Sequence, residues 1–358
     1  MINQFKYSPK NSLPNLVNIS AKSPSNIALV KYWGKKKIQI PTNPSISFTL
    51  KNCLTETSIE LKKSNKFSIQ LFVEGKEKAS FLPKIEQFLE RIKAYCPFIF
   101  DYSLTINTYN TFPHSSGIAS SASAFSCLSM CIMEFENYLS GCSKDFQYQK
   151  ASFLSRLGSG SASRSIYGPM AIWGENEIIT NASDQFAVSF NDIHSIFKTY
   201  QDTILLVDKG TKKVSSSVGH DLMQDHPFAT KRFQQANRQL TALLDVLKSG
   251  DTEKFISITE QEALTLHAMM MTSNPYFILM KEGTLSIINK IWDFRKNTKV
   301  PISFTLDAGA NVHVLYPESY KQKALDFIAN ELVVFCENQQ YICDEVGSGA
   351  KIIKAIYA

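Results

Sequence analysis

Lys31 is the first residue of this sequence whose surroundings suggest chemistry, because it lies within an apolar stretch. It follows the apolar residues 27–30 and precedes Tyr32, Trp33 and, after a glycine, Lys35. Burying an ammonium group without a partner is costly, so we expect an acidic side chain or a bound phosphate beside Lys31. A lysine that reaches solvent from the edge of a strand is the commoner alternative for an isolated lysine.

A segment of small and hydroxylated residues, 113–123, could bind phosphate. It precedes an apolar stretch that favours a helix, so free backbone N–H groups and the helix dipole would face an anion. Gly117 permits close backbone approach, and the serines at 120, 121 and 123 could bind phosphates or their Mg²⁺. Close packing of small side chains explains the same composition equally well. The sequence contains neither a Walker-type loop nor the glycine pattern of a Rossmann dehydrogenase.

A second segment of small residues, 155–165, could bind an anion through its side chains. Its two glycines allow a tight turn, while Ser159, Ser161 and Arg164 offer hydrogen-bond donors. The planar guanidinium of an arginine suits two-point contact with a carboxylate or a phosphate. A serine-rich loop that caps a helix is the competing interpretation of this segment.

Asp307 stands at the end of an apolar segment and is followed by Ala-Gly-Ala-Asn. A carboxylate held in a glycine-containing turn after a strand is well placed to act as a general base. An Asx turn or a helix cap is the commoner role of an aspartate at the end of a strand.

A weaker cluster of donors occupies residues 212–219, ahead of a long predicted helix. It contains a lysine pair followed by Ser215, Ser216 and Ser217, which could bind an anion at the helix start. When this segment is read alone, we prefer ordinary turn or capping serines beside solvated lysines.

Strand and helix patterns both occur along the chain, which predicts an α+β fold. The predicted helices lie at 83–95, 227–248, 251–269 and 321–332, with another that ends near residue 138. Extended segments are predicted within 19–50 and at 102–110, 203–208, 302–306 and 312–316. The chain has 358 residues, of which 44% are hydrophobic, so it can form two domains, which we place at 1–180 and 181–358.

The overall composition excludes several classes of partner. The net charge of +6 suits an anionic small substrate, and no compact basic stripe indicates a nucleic-acid surface. The N-terminus is polar, and no apolar run is long enough to span a bilayer, so we expect a soluble cytoplasmic protein without membrane contact. Seven scattered cysteines without a CxxC pair are expected to be reduced thiols.

Taken together, these segments resemble the mevalonate diphosphate decarboxylase family of the GHMP kinase superfamily. The resemblance extends from about residue 19 to residue 316. Its most specific strings are Lys-Tyr-Trp-Gly-Lys at 31–35 and Gly-Ser-Gly-Ser-Ala-Ser-Arg at 158–164. Further matching strings lie at 21–30, 41–50, 112–123 and 307–311.

The resemblance implies a two-domain GHMP fold with ATP and substrate in the cleft between the domains. The family uses ATP and Mg²⁺ to phosphorylate the 3-hydroxyl group of mevalonate diphosphate, and then releases phosphate and CO₂ to give isopentenyl diphosphate. By position, Asp307 would orient or deprotonate the hydroxyl, Lys31 would lie near the transferred phosphoryl group, and Arg164 would hold the carboxylate or the diphosphate. The remaining implied contacts are Tyr32, Lys35, Ser159, Ser161 and Ser216 with the anionic groups of the substrate, and Gly117, Ala119, Ser120, Ser121 and Ser123 with ATP, Ser121 also binding Mg²⁺.

Three alternatives stay open at this point. A phosphomevalonate decarboxylase and a mevalonate 3-kinase would share the fold and most of the motifs. A non-catalytic relative that binds or regulates is the alternative from another class, and the joint presence of Lys31, Arg164 and Asp307 speaks against it, because a binding protein needs no base. The sequence leaves the oligomeric state open, with a homodimer as one candidate.

Overall fold

The computed structural model of the protein describes residues 2–113, 118–210 and 216–358, without the side chains of residues 216 and 217. In these ranges the chain forms a large and a small β-sheet with helices packed against both. The strands are β1 (Leu16–Val30), β2 (Lys35–Lys36), β3 (Ile40–Pro41), β4 (Ser45–Lys63), β5 (Ser68–Val73), β6 (Lys76–Glu77), β7 (Tyr102–Asn110), β8 (Met170–Trp173), β9 (Val188–Phe190), β10 (Gln201–Leu205), β11 (Ser303–Leu306), β12 (Val312–Tyr316), β13 (Tyr341–Glu345) and β14 (Lys351–Tyr357). The α-helices are α1 (Leu82–Ile92), α2 (Ser120–Ser140), α3 (Lys144–Gly158), α4 (Ser195–Lys198), α5 (Ser216–Asp221), α6 (Ala229–Ser249), α7 (Thr252–Met271), α8 (Glu282–Thr298) and α9 (Lys321–Phe327).

The large sheet has the strand order β14-β1-β4-β7-β5-β6, and β8 extends it by pairing with the first residues of β4. In the outer part of β1, buried and half-buried residues alternate, as in a strand with one face towards solvent. Residues 23–30 of β1 and 45–50 of β4 are instead buried on both faces. Lys31, the residue directly after β1, therefore lies deep inside the molecule.

The small sheet has the order β11-β12-β10-β13, and all of its neighbouring strands are antiparallel. Helix α7 packs against α6 and against β11. One apolar cluster joins the two sheets, because Ile27 and Phe48 of the large sheet belong to it together with Ile204 and Leu315 of the small sheet and with residues of α6 and α7. The two sheets are thus held together by a continuous core rather than by a thin linker.

The predicted mixed α and β fold is confirmed. The strand expected at 102–110 is β7, and Asp251 caps α7 by accepting a hydrogen bond from the N–H of Lys254. Helices α3 and α8 were not predicted, nor was the pairing of β14 with β1. The domain boundary at residue 180 stays a prediction. Among the described residues, the search for a helix both long and apolar enough to cross a membrane finds none.

A buried ion pair joins the two helices behind the large sheet. Nζ of Lys150 on α3 lies 2.6 and 2.7 Å from the two carboxylate oxygens of Glu136 on α2, and it also donates to the carbonyl oxygen of Tyr95 at 2.9 Å. Burial raises the pKa of Glu136 above its usual value in spite of the neighbouring ammonium group.

Removing one member of this pair should be far more harmful than removing both. We expect Lys150→Met to lower the free energy of unfolding by about 3–5 kcal/mol, because it leaves a buried carboxylate without its cation. The double variant Lys150→Met/Glu136→Leu should recover part of that loss. Lys290→Met, which breaks the exposed pair with Glu331, is the control and should cost less than about 1 kcal/mol. Urea denaturation measures all three values, and a Lys150→Met variant as stable as the control would contradict the prediction.

Candidate active site

An ion pair between the two sheets forms the centre of the candidate site. Nζ of Lys31 lies 3.0 Å from Oδ1 of Asp307, which directly follows β11. The lysine side chain is 2% exposed and the aspartate side chain 25% exposed, so the carboxylate marks the side from which a ligand can approach. The acidic partner that the sequence required for Lys31 is therefore Asp307.

The backbone of Lys31 is held by side chains rather than by a neighbouring strand. Its N–H donates to Oε2 of Glu262 at 2.8 Å, and its carbonyl oxygen accepts from Asn43 at 3.0 Å and from Arg232 at 3.3 Å. Arg232 and Glu262 form a two-point ion pair, with N···O distances of 2.8 and 2.6 Å, and both side chains are fully buried. Lys31 thus has a fixed backbone as well as a fixed ammonium group.

The turn that carries Asp307 is held by a histidine of α7. Nε2 of His267 lies 3.1 Å from the carbonyl oxygen of Asp307. A carbonyl oxygen can only accept, so this ring nitrogen carries the hydrogen. Burial lowers the pKa of His267 to about 4, and the ring is therefore neutral at pH 7.

Arg164 lies in a short 3₁₀ helix, Gly160–Ser165, and is buried, close enough to Asp307 for the charge of that carboxylate to act on it. Its Nε donates to Oγ of Ser47 at 3.0 Å and its Nη1 donates to Oγ of Ser45 at 2.6 Å, so these partners are neutral hydroxyl groups. Burial lowers the pKa of Arg164 to about 10, while the charge of Asp307 acts in the opposite direction. At pH 7 the guanidinium group remains charged, so it could bind an anion in the cleft.

Tyr32 and Lys35 line the wall next to Arg164. The Tyr32 ring packs against Trp173 and His220, with centroid distances of 4.7 and 4.2 Å. Its hydroxyl group is buried without a hydrogen-bond partner among the described residues, and burial raises its pKa above the usual range. Nζ of Lys35 lies 3.5 Å from Asp221 on α5. A buried phenol without a partner is what a site prepared for a polar ligand would contain.

The two small-residue segments meet at the start of α2. Oγ of Ser121 lies 3.4 Å from Oγ of Ser159, and the carbonyl oxygen of Ser161 accepts from the side chain of Asn26 at 3.1 Å. A Cβ atom on Gly160 would lie 2.8 Å from the Trp173 ring and 2.9 Å from the Tyr32 hydroxyl, so only glycine fits at this contact. The described part of segment 113–123, which could bind phosphate, and segment 155–165, which could bind an anion, therefore lie on one surface.

Ser120 and Ser121 also line a mainly apolar pocket of about 240 Å³ between α1, α2 and the large sheet. Ala119, just before α2, has a left-handed backbone with a φ of 42°, which gives the sharp turn into the helix. Ser123 lies on the buried side of α2, and its hydroxyl group is hydrogen-bonded to Thr55 at 2.6 Å. Gly117 and the side chain of Ser216 lie outside the described residues.

Four buried residues of this site were not predicted as part of it: Arg232, Glu262, His267 and His220. His220 accepts a hydrogen bond from the N–H of Gly34 at 2.9 Å, and its ring also packs on Trp33. Burial, with Lys35 and Arg164 nearby, lowers its pKa to about 3. For Arg232, Glu262 and His267, the sequence signal was a charged or histidine side chain among the apolar positions of α6 and α7. Such side chains in a helix usually indicate a face towards solvent.

Comparison with known proteins gives consistent results over most of the chain. The family model of the diphosphomevalonate decarboxylase-like N-terminal domain matches residues 23–187. The model of the mevalonate 5-diphosphate decarboxylase C-terminal domain matches residues 203–354. A diphosphomevalonate decarboxylase of Ganoderma lucidum is 27% identical over 336 residues, which is 86% of this chain and 80% of the relative.

Solved structures agree with the sequence matches. A crystal structure of mevalonate diphosphate decarboxylase from Staphylococcus aureus superposes with a TM-score of 0.83 at 27% identity, covering 95% of this chain and 98% of that one. A structure of the protein MDDEF in complex with MVAPP, AMPPCP and magnesium gives a TM-score of 0.82 at 25% identity, covering 95% and 99%.

Proposed function

We propose that this chain, which belongs to the mevalonate diphosphate decarboxylase family, catalyses the ATP-dependent decarboxylation of mevalonate diphosphate to isopentenyl diphosphate. The observation that carries the proposal is the Lys31–Asp307 ion pair at the junction of the two sheets, with a buried and charged Arg164 beside it. The arrangement supplies a base and two cations in one cleft, as a substrate with a hydroxyl group, a carboxylate and a diphosphate requires.

In the first half of the proposed reaction, Asp307 accepts the proton of the 3-hydroxyl group while the hydroxyl oxygen attacks the γ-phosphorus of ATP. The bond between this phosphorus and the β-phosphate oxygen breaks, and ADP leaves. Nζ of Lys31 lies 3.0 Å from this carboxylate and would stabilise the negative charge of the transferred phosphoryl group. Asp307 and Lys31 are therefore the proposed catalytic residues of this step.

In the second half, the bond between C3 and the new phosphate breaks, and phosphate leaves with the bonding electrons. The bond between the carboxylate and C2 then breaks, its electrons form the C=C bond, and CO₂ is released. Arg164 would bind the carboxylate or the diphosphate through paired hydrogen bonds and so fix the orientation of the substrate. Further contacts to the anionic groups are proposed for Tyr32, Lys35, Ser159, Ser161 and Ser216.

The start of α2 is the proposed site for ATP. Its free N–H groups and the helix dipole favour the triphosphate, and the adjoining apolar pocket offers room for part of the nucleotide. No group of three His, Cys, Asp or Glu side chains among the described residues could hold a metal ion. This fits Mg²⁺, which usually binds phosphate oxygens and water together with one or two protein oxygens, here the hydroxyl group of Ser121. The buried Ser123 would support the helix rather than touch the nucleotide.

The proposal is tested by the choice of substrate. With ATP and Mg²⁺, we expect the purified chain to release ADP, phosphate and CO₂ in equal amounts from mevalonate diphosphate. The kcat/KM should exceed that for the monophosphate and for mevalonate by about a hundredfold or more, because each lost charge-assisted hydrogen bond costs roughly 1.5–3 kcal/mol. A coupled ADP assay, a phosphate assay and capture of labelled CO₂ measure the three products.

Other outcomes of this assay would point to a specific alternative. Equal or better use of the monophosphate would identify a phosphomevalonate decarboxylase. ADP formed from mevalonate without CO₂ would identify a mevalonate 3-kinase. No ADP from any of the three substrates would leave a non-catalytic binding protein.

Substitution of the proposed base should stop turnover in the protein that stays folded, although it also leaves the buried ammonium group of Lys31 without its anion. We expect Asp307→Asn to lower kcat by roughly a hundredfold to ten-thousandfold, because the amide has the same shape but cannot accept the proton. ATP binding, measured by calorimetry, should change little. Asp326→Asn on the exposed face of α9 is the matched control and should keep full activity. An Asp307→Asn variant within a few-fold of the wild type would remove Asp307 from the mechanism.

Substitution of Ser121 should act on the nucleotide rather than on the second substrate. We expect Ser121→Ala to raise the KM for ATP, or the Mg²⁺ requirement, more than the KM for mevalonate diphosphate, since the lost hydroxyl group faces the proposed phosphate site. Steady-state kinetics with each substrate varied in turn separate the two effects. Ser140→Ala, at the other end of α2, serves as control. Unchanged KM for ATP and unchanged kcat would transfer the assignment to Ser120.

A further inference from the structure

Helix α7 contacts both members of the Lys31–Asp307 pair through their backbones. Oε2 of Glu262 accepts the N–H of Lys31 at 2.8 Å, and Nε2 of His267 donates to the carbonyl oxygen of Asp307 at 3.1 Å. The two helix positions are five residues apart, or about 7.5 Å along the axis. Lys31 directly follows β1 of the large sheet and Asp307 directly follows β11 of the small one, so α7 connects two segments that no strand connects.

We infer that α7 sets the distance between the two proposed catalytic groups, with Glu262, Arg232 and His267 as positioning residues for the phosphoryl-transfer step. This inference rests on the proposed function. Glu262 and Arg232 fix the backbone of Lys31, and His267 fixes the backbone of Asp307. In the described part of the chain, the three side chains hydrogen-bond to the backbone of Lys31 or Asp307 and not to the Lys31 ammonium group or the Asp307 carboxylate. They therefore act through Lys31 and Asp307.

The position of Lys31 in the chain explains why its backbone needs this support. The pairing of β1 with β4 ends at Val30, which lies opposite Ile46. One residue further on, the N–H and C=O groups of Lys31 are buried and lack strand partners, and a buried backbone group without a partner costs about 1–3 kcal/mol. The Glu262–Arg232 pair supplies one donor and one acceptor to the same residue.

Net stability alone does not account for the charged nature of this pair. Both side chains are fully buried, and a buried ion pair is often no more stabilising than an apolar pair of similar size. What an apolar pair could not provide is the directed hydrogen bonds to Lys31. A displacement of a catalytic group by about 1 Å can lower the rate roughly a hundredfold. We therefore expect the loss of these hydrogen bonds to lower the rate.

The first test removes the ion pair as a whole, so that no buried charge is left alone. We expect Arg232→Met/Glu262→Leu to fold, to bind mevalonate diphosphate with a KM within about threefold of the wild type, and to lose roughly tenfold to a hundredfold in kcat. The matched control is Lys150→Met/Glu136→Leu, which removes another buried ion pair, between α2 and α3, and should keep its kcat. Equal kcat in both double variants, measured on folded protein, would overturn the inference.

The second test uses a substitution that can restore the hydrogen bond of His267. The side-chain amide of glutamine can donate from about the position of Nε2, whereas leucine has no donor. We expect His267→Gln to keep kcat within a few-fold and His267→Leu to lose about tenfold, with similar KM values for both. A purely structural role would instead lower the melting temperature and leave the kcat of the folded fraction the same in both variants.

Crystal structures of the variants separate this inference from the proposed function. In Arg232→Met/Glu262→Leu and in His267→Leu, the distance between Nζ of Lys31 and Oδ1 of Asp307 should exceed the 3.0 Å of the wild type, while His267→Gln should preserve it. This measurement needs no substrate. If the wild type fails to use mevalonate diphosphate but the distances change as stated, the proposed function fails and the positioning role stands. Unchanged distances would overturn the positioning role whatever the reaction.

Discussion

The burial of the Lys31 ammonium group is the constraint on which the rest of this structure depends. An ammonium group at 2% exposure must have an anion within reach, and the only carboxylate shown within salt-bridge distance of Lys31 in the described ranges is Asp307 of the other sheet. The two sheets must therefore hold a fixed position relative to each other, because only then does Asp307 lie beside the buried ammonium group of Lys31. The double-sided burial of residues 23–30 and 45–50 and the apolar cluster shared with α6 and α7 provide that relation.

The two buried cations of the cleft differ in how they are compensated, and this difference separates their tasks. Lys31 is paired with Asp307, whereas Arg164 is solvated by the hydroxyl groups of Ser45 and Ser47. Hydroxyl groups stabilise a guanidinium group without cancelling its charge, so its positive potential remains available to an anion. The pKa of about 10 keeps Arg164 charged at neutral pH. In the proposed mechanism, the first cation lies beside the base and the second attracts the substrate.

The parts of this architecture that depend on local sequence could be predicted, and the parts that depend on distant contacts could not. The strand pattern of residues 102–110 and the helical pattern of residues 251–269 are properties of adjacent residues, and both agree with the structure, as β7 and α7. The pairing of β14 with β1 joins residues more than 300 positions apart, which no local pattern records. Glu262 and His267 were not predicted for a related reason. A charged or polar residue in a helix normally lies at the surface, and only the contacts with Lys31 and Asp307 explain why these two side chains are buried.

The presence of Asp307 in the cleft favours an enzyme over a protein that only binds an anion. Repulsion between the Asp307 carboxylate and an anion bound about 4 Å away would cost about 1 kcal/mol in water and about 4 kcal/mol near a protein surface. For the binding of an anion alone this repulsion is unfavourable, and it is offset only by the pairing of Asp307 with the buried Lys31. The chain nevertheless holds this carboxylate by its side chain, through Lys31, and by its backbone, through His267. In the proposed reaction this carboxylate compensates the buried Lys31 and also accepts the proton of a hydroxyl group, a step for which a paired aspartate is suited.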